Sequence, residues 1–198
     1  MFNTLYELLQ LQSKQRSNRP AILSEQRPSL TFERLFIQIA TTVDTLRSVG
    51  IRRNDRAALV LADGPEMLSA FLAVGSGATA APLNPAYQTE EFEDALVALN
   101  IKAVIVAAGV DSPVRAVARA RRLPIIELSY SEHEPAGVFR LECDQAVLSD
   151  CSDPAFALGD DVALVLRTSG TTGRPTPGAP SRRPTSTGAK RSPSPTRA

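Results

Sequence analysis

Between residues 56 and 128, short apolar runs of strand length alternate with helical stretches, and this alternation limits the fold more than any other feature of the chain. Strands are predicted over 56–62, 79–83, 102–107 and 123–128. A helix with Pro65 near its first position carries Met67, Leu68, Phe71, Leu72 and Val74, and the Gly75-Ser76-Gly77 run is expected to break it. Thr89 is expected to cap a second helix, with Glu90 and Glu91 in its first turn, and a third is predicted over 111–122. Strands that alternate with helices build a mostly parallel sheet covered on both faces. The fold class is therefore α/β.

The residues before this unit read as its flank. Thr4 and Glu7 fit a capping box for a helix over 4–17, which Asn18-Arg19-Pro20 ends. Two short strands, 21–24 and 29–31, are joined by a turn. A longer amphipathic helix over 32–49 then places Leu35, Phe36, Ile39, Val43 and Leu46 on one face. Residues 129–157 are less regular and read as a surface connection with a short strand over 138–141. His133 is the only histidine, and its charged neighbours predict a solvated side chain. The Asp160-Asp161 pair is likewise expected to be a solvated loop rather than a metal site.

The chemistry lies in residues 160–175. An apolar run, Val162-Ala163-Leu164-Val165-Leu166, follows the two acids and has the composition of a buried strand. It is expected in this sheet, paired elsewhere, or frayed. It leads directly into Thr168-Ser169-Gly170-Thr171-Thr172-Gly173, four hydroxyl residues and two glycines in six positions. Glycine lets the backbone bend tightly and approach a ligand, and hydroxyls with successive backbone N–H groups offer donors to an anion. A strand running into such a loop is a usual setting for nucleotide phosphate binding. The spacing excludes a Walker A loop, because Gly173 follows Gly170 by three residues and no Lys comes next.

The string from Thr168 to Pro175 resembles the phosphate-binding signature of the adenylate-forming (AMP-binding) enzymes, which include acyl-CoA synthetases, luciferases and the adenylation domains of peptide synthetases. The family signature continues Pro-Lys-Gly, whereas here Thr176 and Pro177 follow Pro175. Arg174 does not replace that lysine by position. The runs Leu61-Ala62-Asp63-Gly64-Pro65-Glu66 and Pro82-Leu83-Asn84-Pro85-Ala86-Tyr87 resemble a second family region, although the Asn84 segment by itself reads as an ordinary turn. The resemblance covers residues 1–175.

It implies a partial AMP-binding domain whose parent activates a carboxylic acid with ATP and Mg²⁺ to an acyl-adenylate, then transfers the acyl group to a thiol, often coenzyme A. Thr168, Ser169, Gly170, Thr171, Thr172 and Gly173 would line the β- and γ-phosphates of ATP. Leu166-Arg167-Thr168 leans toward acyl-CoA synthetases, oxalyl-CoA synthetase-like members among them. The family's adenine contacts, Mg²⁺ ligand, acyl pocket and catalytic lysine lie after this loop, so the chain is expected to bind no cofactor and to show no turnover alone. The alternative is a non-catalytic fragment that binds a partner protein.

From Thr176 the composition changes to Pro, Ser, Thr, Arg, Gly and Ala with one Lys and no large aliphatic residue, which predicts a disordered tail over 176–198. The abrupt change is read as a truncated or frame-shifted gene; the alternative is an evolved basic arm that binds RNA or anionic surfaces. The net charge is +1, with six basic residues and no acid from Arg174 onward, so the preceding body carries −5. An acidic body argues against nucleic-acid binding, and no apolar run is long enough to predict a membrane span. The N-terminus lacks a signal-peptide pattern. Cys143 and Cys151 have no matching partners for a metal site, and reduced thiols suggest a cytoplasmic location, or a peroxisomal one for a full-length parent.

Overall fold

A computed structural model describes residues 2–143 and 155–167. The flank comprises α1 (Leu5–Gln15), the strand pair β1 (Pro20–Ile22) and β2 (Leu30–Thr31), and α2 (Phe32–Ser48). The alternating unit follows as β3 (Arg56–Val60), α3 (Pro65–Gly77), β4 (Thr79–Pro82), α4 (Thr89–Ala98), β5 (Ile101–Ala107), α5 (Pro113–Ala120), β6 (Ile125–Ser129) and β7 (Arg140–Glu142). The main sheet has the order β4-β3-β5-β6-β7. Its first four strands are parallel, as the alternation predicts, and β7 closes one edge antiparallel to β6.

Residues on β3 show why a central strand carries no polar face. Ala57 and Leu59 enter a core with Ala70 and Val74 of α3 and Leu46 of α2. Ala58 and Val60 enter a second core with Phe92 and Leu96 of α4 and Val114 and Val117 of α5. Alternate side chains of a strand point to opposite faces, so a sheet covered on both sides needs apolar residues at every position. A third, smaller core joins Leu9 of α1, Ile22 and Leu30 of the strand pair, and Leu35 and Ile39 of α2.

Several boundaries differ from expectation. The Gly75-Ser76-Gly77 run does not break α3; the helix continues through Gly77. A Cβ at Gly77 would stand 2.7 Å from a methyl of Val43, and one at Gly75 would stand 3.1 Å from Leu5. The glycines thus serve close packing of α3 against α2 and α1, and burial offsets their low helix propensity, about 1 kcal/mol each relative to Ala. Thr89 is the first helical residue of α4 rather than its cap, which is Gln88; the Glu91 carboxylate accepts a hydrogen bond from the Gln88 N–H at 2.8 Å. At α1 the Thr4 hydroxyl accepts from the Glu7 N–H, as a capping box requires, but the Glu7 carboxylate reaches Asn3 N–H rather than Thr4. The strand expected over 138–141 is shifted to β7, because Phe139 is drawn into the first core. No described helix is long and apolar enough to cross a membrane.

Candidate functional site

Residues 155–167 return to the sheet along the outer side of β4. The path begins with Phe156, stacked on Tyr6 with ring centroids 3.7 Å apart, and with Ala157 N–H donating to Ser76 O at 2.8 Å. The α3 carbonyl that Ala157 reaches lies in the last helical turn, where carbonyls lack partners within the helix. The chain then turns at Leu158–Asp161, and Asp161 organises the turn. Its carboxylate accepts from the Leu158 N–H at 2.7 Å, from Arg53 Nε and Nη2 at 2.7 and 3.0 Å, and from Asn54 Nδ2 at 2.9 Å.

Asn54 sits at φ 65°, a left-handed conformation that asparagine tolerates better than most residues. Its side-chain oxygen also accepts from Val162 N–H at 3.3 Å. The Arg53 guanidinium holds the Asp161 carboxyl down to about 2; the Leu158 N–H and Asn54 act in the same direction, against burial. The Asp161 side chain is only 7% exposed. The expectation of a solvated acidic loop therefore applies to Asp160, which is exposed, and is corrected for Asp161. Sequence spacing could not reveal this, because the partners lie 107 and 108 residues away.

From Val162 the segment lies parallel to β4. Thr79 Oγ1 donates to Val162 O at 2.6 Å, Ala80 N–H donates to Ala163 O at 2.9 Å, and Val165 N–H donates to Ala80 O at 2.9 Å. These bonds place Leu164 opposite Ala80 as a single parallel bridge. The predicted buried strand is thus a frayed extension of the sheet: Val165 is buried in the second core, while Leu166 is 51% exposed. At its far end Arg167 Nη1 donates to Glu91 O in the first turn of α4 at 2.8 Å. The Arg167 guanidinium also lies 5.7 Å from the centre of the Tyr87 ring, and that ring meets buried Phe92 edge-on at 5.6 Å. The Asn84 segment is a turn, closed by Ala86 N–H donating to Asn84 Oδ1 and by Tyr87 N–H donating to Asn84 O.

The direction of this segment matters for chemistry. Because it runs parallel to β4, β3 and β5, its last described residue, Arg167, lies toward the carboxyl end of the parallel strands, against the first turn of α4. Open α/β sheets take their ligands at that end. The residues singled out for phosphate binding, Thr168, Ser169, Gly170, Thr171, Thr172 and Gly173, lie outside the described residues, as do Cys151 and 176–198. What the structure describes is their approach: a strand pinned by Asp161 at one end and Arg167 at the other. The pinning residues Arg53, Asn54, Thr79 and Tyr87 carried no local signal of this role. His133 is exposed, and its backbone N–H donates to Ser131 Oγ. Among the described residues no group of three His, Cys, Asp or Glu side chains could hold a metal ion.

Residues 9–176 match the model of a family described as AMP-binding enzyme. The chain is 32% identical to oxalate–CoA ligase of Arabidopsis thaliana over 175 residues, covering 87% of this chain and 34% of the relative. It is 31% identical to feruloyl-CoA synthase of an Amycolatopsis species over 151 residues, covering 74% of this chain and 27% of that protein. The chain thus spans about a third of the length of these curated relatives. Among solved structures it resembles ATP-bound MatB from Rhodopseudomonas palustris, with a TM-score of 0.66 and 22% identity over 89% of this chain and 34% of MatB. That likeness concerns the fold.

Proposed function

The chain belongs to the AMP-binding enzyme family, and we propose that it supplies the N-terminal, phosphate-receiving part of an ATP-dependent acid–thiol ligase. In the reaction this assigns to the whole protein, a carboxylate oxygen attacks the α-phosphorus of ATP and pyrophosphate leaves, giving an acyl-adenylate. A thiol sulfur, that of coenzyme A, then attacks the acyl carbon and AMP leaves. Residues 1–175 are the AMP-binding portion and 176–198 a basic segment appended to it.

The observation that supports this reading is the parallel course of 162–167 beside β4, directed toward the carboxyl end of the sheet, with the hydroxyl–glycine string next in the sequence. In that loop Thr168, Ser169, Gly170, Thr171, Thr172 and Gly173 suit the β- and γ-phosphates chemically, through hydroxyl and backbone donors and no opposing acid. Arg167 and Asp161 anchor the two ends of the segment that precedes the loop in the sequence. The described residues offer no ligand set for Mg²⁺, and no step is assigned to the ion on this chain.

Transplanting residues 168–175 into the full-length Arabidopsis oxalate–CoA ligase, in place of its own loop, tests the assignment. The chimera is expected to keep ATP–pyrophosphate exchange and to lose most of it on Thr171→Ala. A chimera whose exchange is indifferent to Thr171→Ala would refute the phosphate role.

A further inference from the structure

At the sheet edge opposite the strand segment, α5, β6 and β7 enclose an open cavity of about 580 Å³. Five strand spacings separate that edge from 162–167, roughly 24 Å at 4.8 Å per strand. The cavity is therefore distinct from the proposed ATP-phosphate site and does not rest on it. Its size falls in the range of small-molecule sites.

One wall is basic. Arg115 and Arg119, four residues apart on one face of α5, and Arg122, just past the end of the helix, all line the cavity. The other wall is acidic: Glu127 of β6 and Glu142 of β7 stand directly opposite each other in the antiparallel pair. Leu123 and Ile125 contribute an apolar surface between them. Arg115 is fully engaged, donating to Val110 O, Ala107 O and the Glu127 carboxylate. Among the described residues Arg119, Arg122 and Glu142 have no side-chain hydrogen bond or ion pair, so two guanidiniums and one carboxylate face the cavity unspent.

Arg122 carries a second signal. It sits at φ 56°, where α5 ends in a Schellman arrangement: Arg122 N–H donates to Arg119 O at 3.0 Å and Leu123 N–H to Ala118 O at 2.9 Å. Glycine is the usual residue at that position, since a Cβ is strained there. Of the described residues other than glycine, only Asn54, Asn100 and Arg122 have positive φ, and asparagine tolerates it. Basic residues do favour a helix C-terminus, but Arg119 and Arg121 already supply that charge. Arg122 thus holds a left-handed backbone while its exposed side chain lines the cavity.

We propose that this cavity binds a small phosphomonoester that also carries an amine. The phosphate accepts from the Arg119 and Arg122 forks, one from the last turn of α5 and one from just past it, which suit an anion with three acceptor oxygens better than a carboxylate, which a single fork can satisfy. The ammonium faces Glu142, and the carbon skeleton lies on Leu123 and Ile125.

The test is an NMR titration of the full 198-residue chain, at constant ionic strength, with phosphoethanolamine and with ethyl phosphate, which lacks the amine. Saturable binding in the millimolar range is expected, several-fold tighter for phosphoethanolamine. Arg119→Gln and Arg122→Gly should each weaken it about tenfold. Arg122→Gly relieves the backbone, so its unfolding midpoint should not fall, which separates lost binding from lost fold. Glu142→Gln should erase the preference for phosphoethanolamine. Arg121→Gln, outside the cavity, should change nothing. Absence of saturation, an undiminished Arg122→Gly variant, an equal loss in Arg121→Gln, or a preference that survives Glu142→Gln would each overturn the proposal.

Discussion

The centre of the sheet and its β4 edge are built on different principles. At the centre, β3 lies between two parallel neighbours with four of its five residues buried, and nothing there depends on one particular polar side chain. At the edge, 155–167 touches β4 through one bridge and is secured mainly by side chains: Asp161 to Arg53 and Asn54, Thr79 to Val162, and Arg167 to Glu91 and Tyr87. Apolar burial is non-directional and spreads stability over many residues. Polar clamps are directional and concentrate it in a few. The segment that leads to the proposed phosphate loop is thus the part of the sheet that single substitutions are expected to release without unfolding the rest.

The sharpest way to break this contrast is at the centre. Phe92 is fully buried and braces both α4 and the Tyr87 ring. Phe92→Ala should cost about 3–5 kcal/mol in global stability, measured by urea unfolding. It should lower protection of amides on every strand together. If it loosened only α4, the centre would be less cooperative than its packing implies.

At the edge, Asp161→Asn should act locally. Removing a carboxylate that accepts several hydrogen bonds costs about 1–3 kcal/mol, felt as faster amide exchange at Ala80 and Val165 while the β3 and β5 amides keep their protection. The effect has a defined pH range. The Asp161 carboxyl titrates near 2 in the folded chain against 3.8 ordinarily, so its contribution is present above about pH 4 and is lost as pH falls through 2. That contribution is at most about 2 kcal/mol, reduced by solvent screening. The difference in exchange between the native chain and Asp161→Asn should therefore close between pH 4 and pH 2. A gap that persisted at pH 2 would mean the clamp is not electrostatic.

Arg167 offers a smaller test. Arg167→Ala should cost up to about 1 kcal/mol, since the pair with Tyr87 is partly exposed, and should speed exchange at Val165 but not Ala103. Arg167→Lys should restore part of this, because an ammonium keeps the charge over the ring without the planar fork. Full restoration would assign the whole effect to charge.

The smallest expected effect is none. In a polypeptide of these 198 residues, the family's motif lysine is absent after Pro175, and fixing any backbone residue around a ligand costs roughly 1–2 kcal/mol. A millimolar interaction supplies only about 4 kcal/mol. Calorimetry with ATP should detect no specific binding, and Thr176→Lys should not change that. Micromolar binding abolished by Thr171→Ala would make the loop self-sufficient.

Most of the architecture was legible because it depends on local pattern. The apolar runs at 56–62 and 102–107 have no polar face and therefore demanded a doubly covered sheet, and the hydroxyl–glycine string after Arg167 pointed to the family. Helix ends were read less well. Gly75 and Gly77 look like breakers in one dimension, and become packing residues only once Val43 and Leu5 come close. What the chain could not announce is any contact between residues far apart. Asp161 and Asp160 are indistinguishable as neighbours in a string, yet one is bound by Arg53 and Asn54 while the other faces water. The same holds for the gathering of Arg119, Arg122 and Glu142 around one cavity. Periodicity, turn chemistry and composition act over a few residues, so sequence alone determines elements and their order; partnership between distant side chains exists only after the sheet has formed and brought its edges into register.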